Sequence, residues 1–301
     1  MVEPRSSRPS PPPVTAVREV VARALAEDME PLGDVTAALL APDAHATAFL
    51  VARREGVLAG RLCAEEVLRQ VDASIEVAWA ADDGDRIVAG QRLATLSGSL
   101  ASLLTAERTA LNLLGHLSGV ATLTARYVDA VAGSVQIWDT RKTTPGLRAL
   151  EKAAVRAGGG VNHRGNLSEW VLLKDNHLAM LGITEAVGRA RAMWPGRTVQ
   201  VEADHFGQLQ EAIAAGADLV LLDNMTPDEV RRCVAERGEA TRPLLEVSGG
   251  VSLDTVLDYA STGVDLISIG ALTHSAPVLD IALDIDVEGD VGQTHPYVPE
   301  R

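Results

Sequence analysis

The hydrophobic pattern changes period along this chain. Residues 14 to about 30 read as a helix, stopped by the turn Pro31-Leu32-Gly33-Asp34-Val35-Thr36. Short alternating or β-rich segments follow at Ala46 to Arg53, Gly56 to Gly60, Ile75 to Ala80 and Gln91 to Ser97, with a helix at Cys63 to Val71. Gly84-Asp85 and Ala89-Gly90 mark turns, and the stretch predicts an α+β unit in which no chemistry is visible. From Leu103 to Leu117 the period becomes helical, with Leu103, Ala106, Ala110, Leu113 and Leu117 in one apolar stripe. At about 100° per residue Arg108 lies opposite the centre of that stripe, where an arginine is ordinarily just solvated. Gly115 costs that helix about 1 kcal/mol relative to alanine and so marks close packing or a nearby helix end.

Beyond Gly133 strands and helices alternate. The strands are Val135 to Asp139, Val171 to Lys174, Thr198 to Glu202, Leu219 to Asp223, Leu244 to Ser248 and Leu266 to Gly270; helices begin near Leu147, Gly182, Phe206, Pro227 and Leu253. Thr144-Pro145 supplies a cap and a proline for the first of these helices, and Gly158 to Gly160 ends it. Continuously apolar strands joined by helices predict an α/β fold with a parallel sheet covered on its outer face. Six strands are clear, seven if Gly160 to His163 is extended, so a barrel built from them falls short of eight.

With 301 residues, 47% of them apolar, the chain has material for two domains. Residues 1–13, rich in Pro, Ser and Arg, lack the apolar core of a signal peptide, and no run of about 18 apolar residues exists for a membrane span. The expectation is a cytoplasmic protein that does not engage a membrane. Cys63 and Cys233 stand alone, which points to buried small hydrophobes. The termini, Met1 to Pro13 and roughly Asp286 to Arg301, read as frayed tails.

Charge sharpens the picture. The net charge is −14, yet between Arg141 and Lys174 seven Lys/Arg stand against two acids, leaving 20 basic and 39 acidic residues elsewhere. Such a chain repels nucleic acid in bulk while focusing a small, highly charged anion into one cleft. Arg148, Lys152 and Arg156, four apart, read as a solvated helix face. Arg141, Lys142, Arg164 and Lys174 do not, because they sit at strand ends and in glycine-rich turns.

In a parallel barrel the carboxyl ends of the strands share one mouth. Here they carry Asp139-Thr140-Arg141-Lys142, Lys174-Asp175, Glu202 with Asp204, Asp223-Asn224, Ser248-Gly249-Gly250 and Gly270-Ala271. The last two, ending in glycine, resemble a phosphate site of backbone N–H groups and a following helix N-terminus. Glu202 and Asp223 read either as helix caps or as ligands for hydroxyls or a phosphate-borne Mg²⁺. Arg141 and Arg164 offer the fork that suits planar carboxylates, whereas Lys142 and Lys174 are point charges. His163 reads equally as a donor to ligand or as a structural hydrogen-bonding residue.

These residues together resemble the quinolinate phosphoribosyltransferase family. The resemblance lies in Glu107-Arg108-Thr109-Ala110-Leu111-Asn112, Leu117-Ser118-Gly119-Val120-Ala121-Thr122, Asp139-Thr140-Arg141-Lys142-Thr143, Asn162-His163-Arg164 and Lys174-Asp175-Asn176-His177. Gly33-Asp34-Val35-Thr36, Val201-Glu202, Leu222-Asp223, Ser248-Gly249-Gly250 and Ser268-Ile269-Gly270 extend it over roughly residues 15 to 285. It implies an N-terminal α/β sandwich over 14–117, joined by 278–289, and an incomplete six- or seven-stranded parallel α/β barrel over 118–277, between tails 1–13 and 290–301. It implies a homodimer with shared active sites, a hexamer being a further assembly, in which Arg108 reaches the neighbouring barrel. It gives quinolinate to Arg108, Arg141, His163, Arg164 and Lys174. Lys142, Glu202 and Asp223 become catalytic, serving the pyrophosphate, Mg²⁺ and ribose of phosphoribosyl pyrophosphate (PRPP), with the metal near Glu202 and Asp223. Ser248, Gly249, Gly250 and Gly270 take the 5′-phosphate. Gly115-His116 and Gly165-Asn166 depart from the family's pattern.

The implied reaction converts quinolinate and PRPP to nicotinate mononucleotide, pyrophosphate and CO₂. The nearest alternatives are a related protein of molybdenum-uptake clusters and a nicotinate phosphoribosyltransferase; Lys174 with Asn162-His163-Arg164 favours a dicarboxylate over both. A paralogue that binds a phosphometabolite without turnover would not need Lys142, Glu202 and Asp223 together.

Overall fold

The structure is a computed structural model and describes residues 9–287. The first part of the chain forms α1 (Val14–Met29), β1 (His45–Ala52), β2 (Gly56–Val57), α2 (Arg61–Val71), β3 (Glu76–Trp79), β4 (Arg86–Ile87) and β5 (Arg92–Ser99). Then come α3 (Leu100–Val131), β6 (Gln136–Trp138), α4 (Arg148–Ala157), β7 (Val171–Leu173), α5 (Asp175–Leu181) and α6 (Ile183–Met193). The chain continues through β8 (Val199–Ala203), α7 (Phe206–Ala214), β9 (Leu219–Asp223), α8 (Pro227–Arg237), β10 (Leu244–Ser248), α9 (Val256–Ala260), β11 (Leu266–Ser268), α10 (Ala271–His274) and β12 (Ile281–Val287).

The first layer is an antiparallel sheet in the order β12-β1-β5-β3. Its central strand β1 alternates strictly, burying Ala46, Ala48, Leu50 and Ala52, which is the pattern of a sheet with one face on the core. The returning strand β12 pairs along its full length with Ala46 to Ala52 of β1, Leu283 opposite Leu50. Asp286 and Val287, expected in a frayed tail, therefore belong to the sheet; residues 288–301 lie outside the described residues. Gly56 to Gly60 shortens to the two residues of β2, paired only with β4.

The helix predicted over 103–117 runs on to Val131. Gly115 does not end it; the glycine is there for close approach. Leu279 donates its backbone N–H to the Gly115 carbonyl at 2.9 Å, and a Cβ at Gly119 would lie 2.1 Å from the Pro277 carbonyl oxygen. The returning chain thus lies directly on the α3 backbone. Residues 1–8 fall outside the described residues, but Pro9 to Pro13 do not fray: Pro12 is buried, and Ser10 accepts from Arg156 Nη2 at 2.9 Å.

The second layer is a parallel sheet, β6-β11-β10-β9-β8-β7. Gly160 to His163 contributes no seventh strand, only a parallel bridge from Val161 to Trp138 on β6. Strands β8 and β9 are buried almost throughout, as parallel strands covered by helices must be. Helix α5 appears where the pattern showed none, and α4 begins at Arg148, so Thr144-Pro145 forms the turn before it and does not cap it. Cys63 and Cys233 are buried, and burial pushes their thiols up to about 12 and about 11. Among the described residues no helix is long and apolar enough to cross a membrane.

Candidate active site

The strand ends converge on one cavity of about 590 Å³. Arg141, Lys142, His163, Arg164, Lys174, Glu202, Asp223, Ser248, Gly249, Gly250 and Gly270 all line it. Arg108 does not. It projects from α3 with its side chain 66% exposed, beside a separate groove formed with Leu111, Asn112 and residues 278–281.

Beneath the cavity lies a buried scaffold that the charge pattern concealed. Lys152 of α4 is not solvated. Its Nζ is buried, ion-paired with Asp139 at the end of β6 and bonded to the His163 carbonyl at 2.8 Å. Asp139 also accepts from Asn162 Nδ2 at 2.6 Å and from the His163 N–H at 2.8 Å. Burial pushes the Asp139 carboxyl up and the Lys152 ammonium down, and their mutual attraction opposes both shifts. Arg156 pairs with Asn162, while Arg148 donates to Thr143 Oγ1 at 2.9 Å and to the Gly165 carbonyl at 3.1 Å. Of the three cations read as a wet helix face, Lys152 and Arg156 instead hold Asn162 and His163, and Arg148 ties Thr143 to Gly165 just beyond them.

The same helix explains His116. Its Nε2 meets Glu151 Oε1 at 2.8 Å, and Glu151 Oε2 accepts from the Thr144 N–H at 3.1 Å. A fully buried carboxylate thereby ties α3 to the turn that carries Arg141 and Lys142.

Across the mouth the charges interleave. Arg164 is buried among cavity residues, and burial and then the charge of Arg141 lower its proton affinity. Arg141 Nε is buried without a partner. Lys174, the N-cap residue of α5, pairs through its side chain with Glu202. Burial raises the Asp223 carboxyl, with Lys174 and Lys142 pulling the other way. The Lys142 carbonyl accepts from Thr273 Oγ1 at 2.8 Å, and a Cβ on Gly270 would sit 3.1 Å from Lys142 Cδ. Glycine at 270 therefore keeps open the channel along which that lysine runs. Gly249 has φ +91° and sits so tightly under Asn224 that a Cβ would approach its Oδ1 to 2.2 Å, a position for glycine alone. The N–H groups of Gly249, Gly250 and Gly270 donate to no protein group among the described residues. The expected helix N-terminus at this site is less developed: α9 begins at Val256, and α10 has four residues.

Sequence reasoning placed Thr140 at the mouth without giving it a role and passed over His274 and Glu246; all three line the cavity. Glu246 was detectable as an ionisable residue inside an otherwise apolar strand, and Gln200 as a polar one in the buried strand β8.

Residues 34–118 match the model of the quinolinate phosphoribosyl transferase N-terminal domain, and residues 120–284 that of its C-terminal domain. The curated nicotinate-nucleotide pyrophosphorylase (carboxylating) of Mycobacterium leprae (strain TN) is 45% identical over 276 residues, 90% of this chain and 97% of that one. The solved structure of the Francisella tularensis nicotinate-nucleotide pyrophosphorylase aligns with a TM-score of 0.87 at 38% identity, covering 94% of this chain and 100% of that one. NadC from Streptococcus pyogenes aligns at 0.88, also 38% identical, over 92% and 99%. With both domains matched in order and strand ends that gather its motifs into one cavity, the chain belongs to the quinolinate phosphoribosyltransferase family.

Proposed function

We propose that the barrel-mouth cavity is where quinolinate and PRPP react. The activity is carboxylating phosphoribosyl transfer, which yields nicotinate mononucleotide, pyrophosphate and CO₂ in NAD biosynthesis. The observation that carries the site reading is the gathering of four cations, Arg141, Lys142, Arg164 and Lys174, around one cavity in a chain of net charge −14. Arg141, Arg164, Lys174 and His163 hold the two quinolinate carboxylates. Glycine N–H groups at 249, 250 and 270, with Ser248, take the 5′-phosphate.

Among the described residues no group of three or more His, Cys, Asp or Glu could hold a metal unaided. Glu202 and Asp223 are two carboxylates beside cations, which suits an Mg²⁺ that keeps its waters and takes its remaining ligands from PRPP. When bound, Mg²⁺ supplies charge neutralisation at the departing pyrophosphate. The protein's share is placement: quinolinate nitrogen faces the anomeric carbon, forms the N–C bond as the C–O bond to pyrophosphate breaks, and Lys142 meets the leaving charge. The pyridinium then accepts the electron pair released as the adjacent carboxylate leaves as CO₂, and a proton takes its place. Purified protein given quinolinate, PRPP and Mg²⁺ is expected to release CO₂ and pyrophosphate in equal amounts; pyrophosphate without CO₂ would contradict this activity.

The exposed Arg108, away from its own cavity, supports a homodimer in which each Arg108 enters the other protomer's barrel. Mixing inactive Arg108→Ala and Lys142→Ala chains leaves one site of each heterodimer whole, so isolated heterodimers should show about half the wild-type activity and an equilibrated equal mixture about a quarter. No recovery in verified heterodimers would place Arg108's action within its own chain.

A further inference from the structure

The interior of a parallel barrel is ordinarily filled by apolar layers. This one holds a polar layer under the cavity floor. Glu246, the middle residue of β10, is fully buried. Its Oε2 accepts from Gln200 Nε2 at 2.6 Å and lies 3.3 Å from His163 Nε2 without forming a hydrogen bond, so Glu246 Oε1 and His163 Nε2 are both buried with no hydrogen-bond partner. Gln200 cannot turn to serve differently, because its Oε1 accepts from Trp170 Nε1 at 3.0 Å. The His163 ring is fixed between Trp138, 6.0 Å away and nearly perpendicular, and Trp170, 4.8 Å away. The charged groups facing His163 are Glu246 at the ring, and Asp139 and Lys152 at its backbone.

An ionised carboxylate only accepts hydrogen bonds, so its contact with His163 is favourable only when Nε2 carries a hydrogen. Nδ1 is then the ring nitrogen left for a ligand in the cavity. In a neutral ring with its hydrogen on Nε2, Nδ1 is an acceptor and repels a carboxylate. A ring that meets Glu246 on one side and a quinolinate carboxylate on the other must carry both hydrogens. We infer that Glu246 is a positioning residue that holds His163 as a doubly protonated donor beneath the substrate dicarboxylate. A buried carboxylate with one oxygen unsatisfied is otherwise costly, and a charged His163 is the compensation within reach. The inference rests on the reading of His163 as a quinolinate contact.

The test combines spectroscopy with kinetics. In protein carrying ¹⁵N-labelled histidine and saturated with quinolinate, both His163 ring nitrogens should show protonated shifts at neutral pH, assigned by their loss in His163→Asn. In Glu246→Gln one of them should become unprotonated, the quinolinate KM should rise roughly tenfold, and the PRPP KM should stay within about twofold. An unprotonated His163 nitrogen in the wild-type complex overturns the inference without reference to any variant, as does an unchanged quinolinate KM in Glu246→Gln. If His163→Asn raises the quinolinate KM while Glu246→Gln does not, the inference fails and the site reading stands. If His163→Asn leaves that KM unchanged, both fail.

Discussion

Replacing Lys142 with alanine should lower kcat by roughly 10²–10³ without loss of fold, the scale on which a group that stabilises developing charge acts. The backbone at Lys142 is secured independently of its ammonium: Thr140 Oγ1 accepts from its N–H at 3.0 Å and Thr273 Oγ1 donates to its carbonyl. Its side chain runs alongside Gly270 at the cavity wall, beside the glycine turns proposed to take phosphate. Truncation therefore removes a charge from the mouth and leaves the turn in place. Steady-state kinetics with a thermal melt as control would decide it; a kcat within about threefold of wild type would remove Lys142 from the chemistry.

A larger effect on stability is expected one layer down. Lys152→Met leaves Asp139 buried without its ion-pair partner, and breaking such a pair costs about 3–5 kcal/mol. The same change removes the donor to the His163 carbonyl, so the turn bearing Arg164 should loosen as well. Asp139 already has its folded-state pKa raised above the ordinary value by burial, and losing Lys152 raises it further. A carboxyl with a raised folded pKa binds its proton preferentially in the folded state. Lys152→Met should thus regain stability as pH falls through that raised value, levelling off below the unfolded one. Urea unfolding at two pH values measures both effects; a loss below about 1 kcal/mol would show that the pair contributes little.

The pair also shows why part of the site was hidden in the sequence. The six parallel strands were legible because buried strands are continuous apolar runs, and the mouth was legible because polar residues ended each of them. Arg148, Lys152 and Arg156 were not, since spacing by four identifies a helix face but not what that face meets. Asp139, Thr143, Asn162 and the carbonyls of His163 and Gly165 supply that face with partners that lie 5 to 17 residues away along the chain and only the fold brings beneath it. The length of α3 was missed for a related reason: Gly115 weakens a helix locally, and its compensation, the returning chain at Pro277 to Leu279, is distant in sequence. Glu246 and Gln200 break apolar strands visibly, but their meaning depends on a cross-barrel contact.

The central claim is a cavity whose cations select two neighbouring carboxylates on a pyridine. Its most direct measurement is the ratio of kcat/KM for quinolinate to that for nicotinate, each with saturating PRPP and Mg²⁺. A site built to pair a second carboxylate leaves buried cations unpaired when that group is missing, so quinolinate should be favoured by roughly 10³ or more. Comparable values for the two acids would contradict the dicarboxylate pocket.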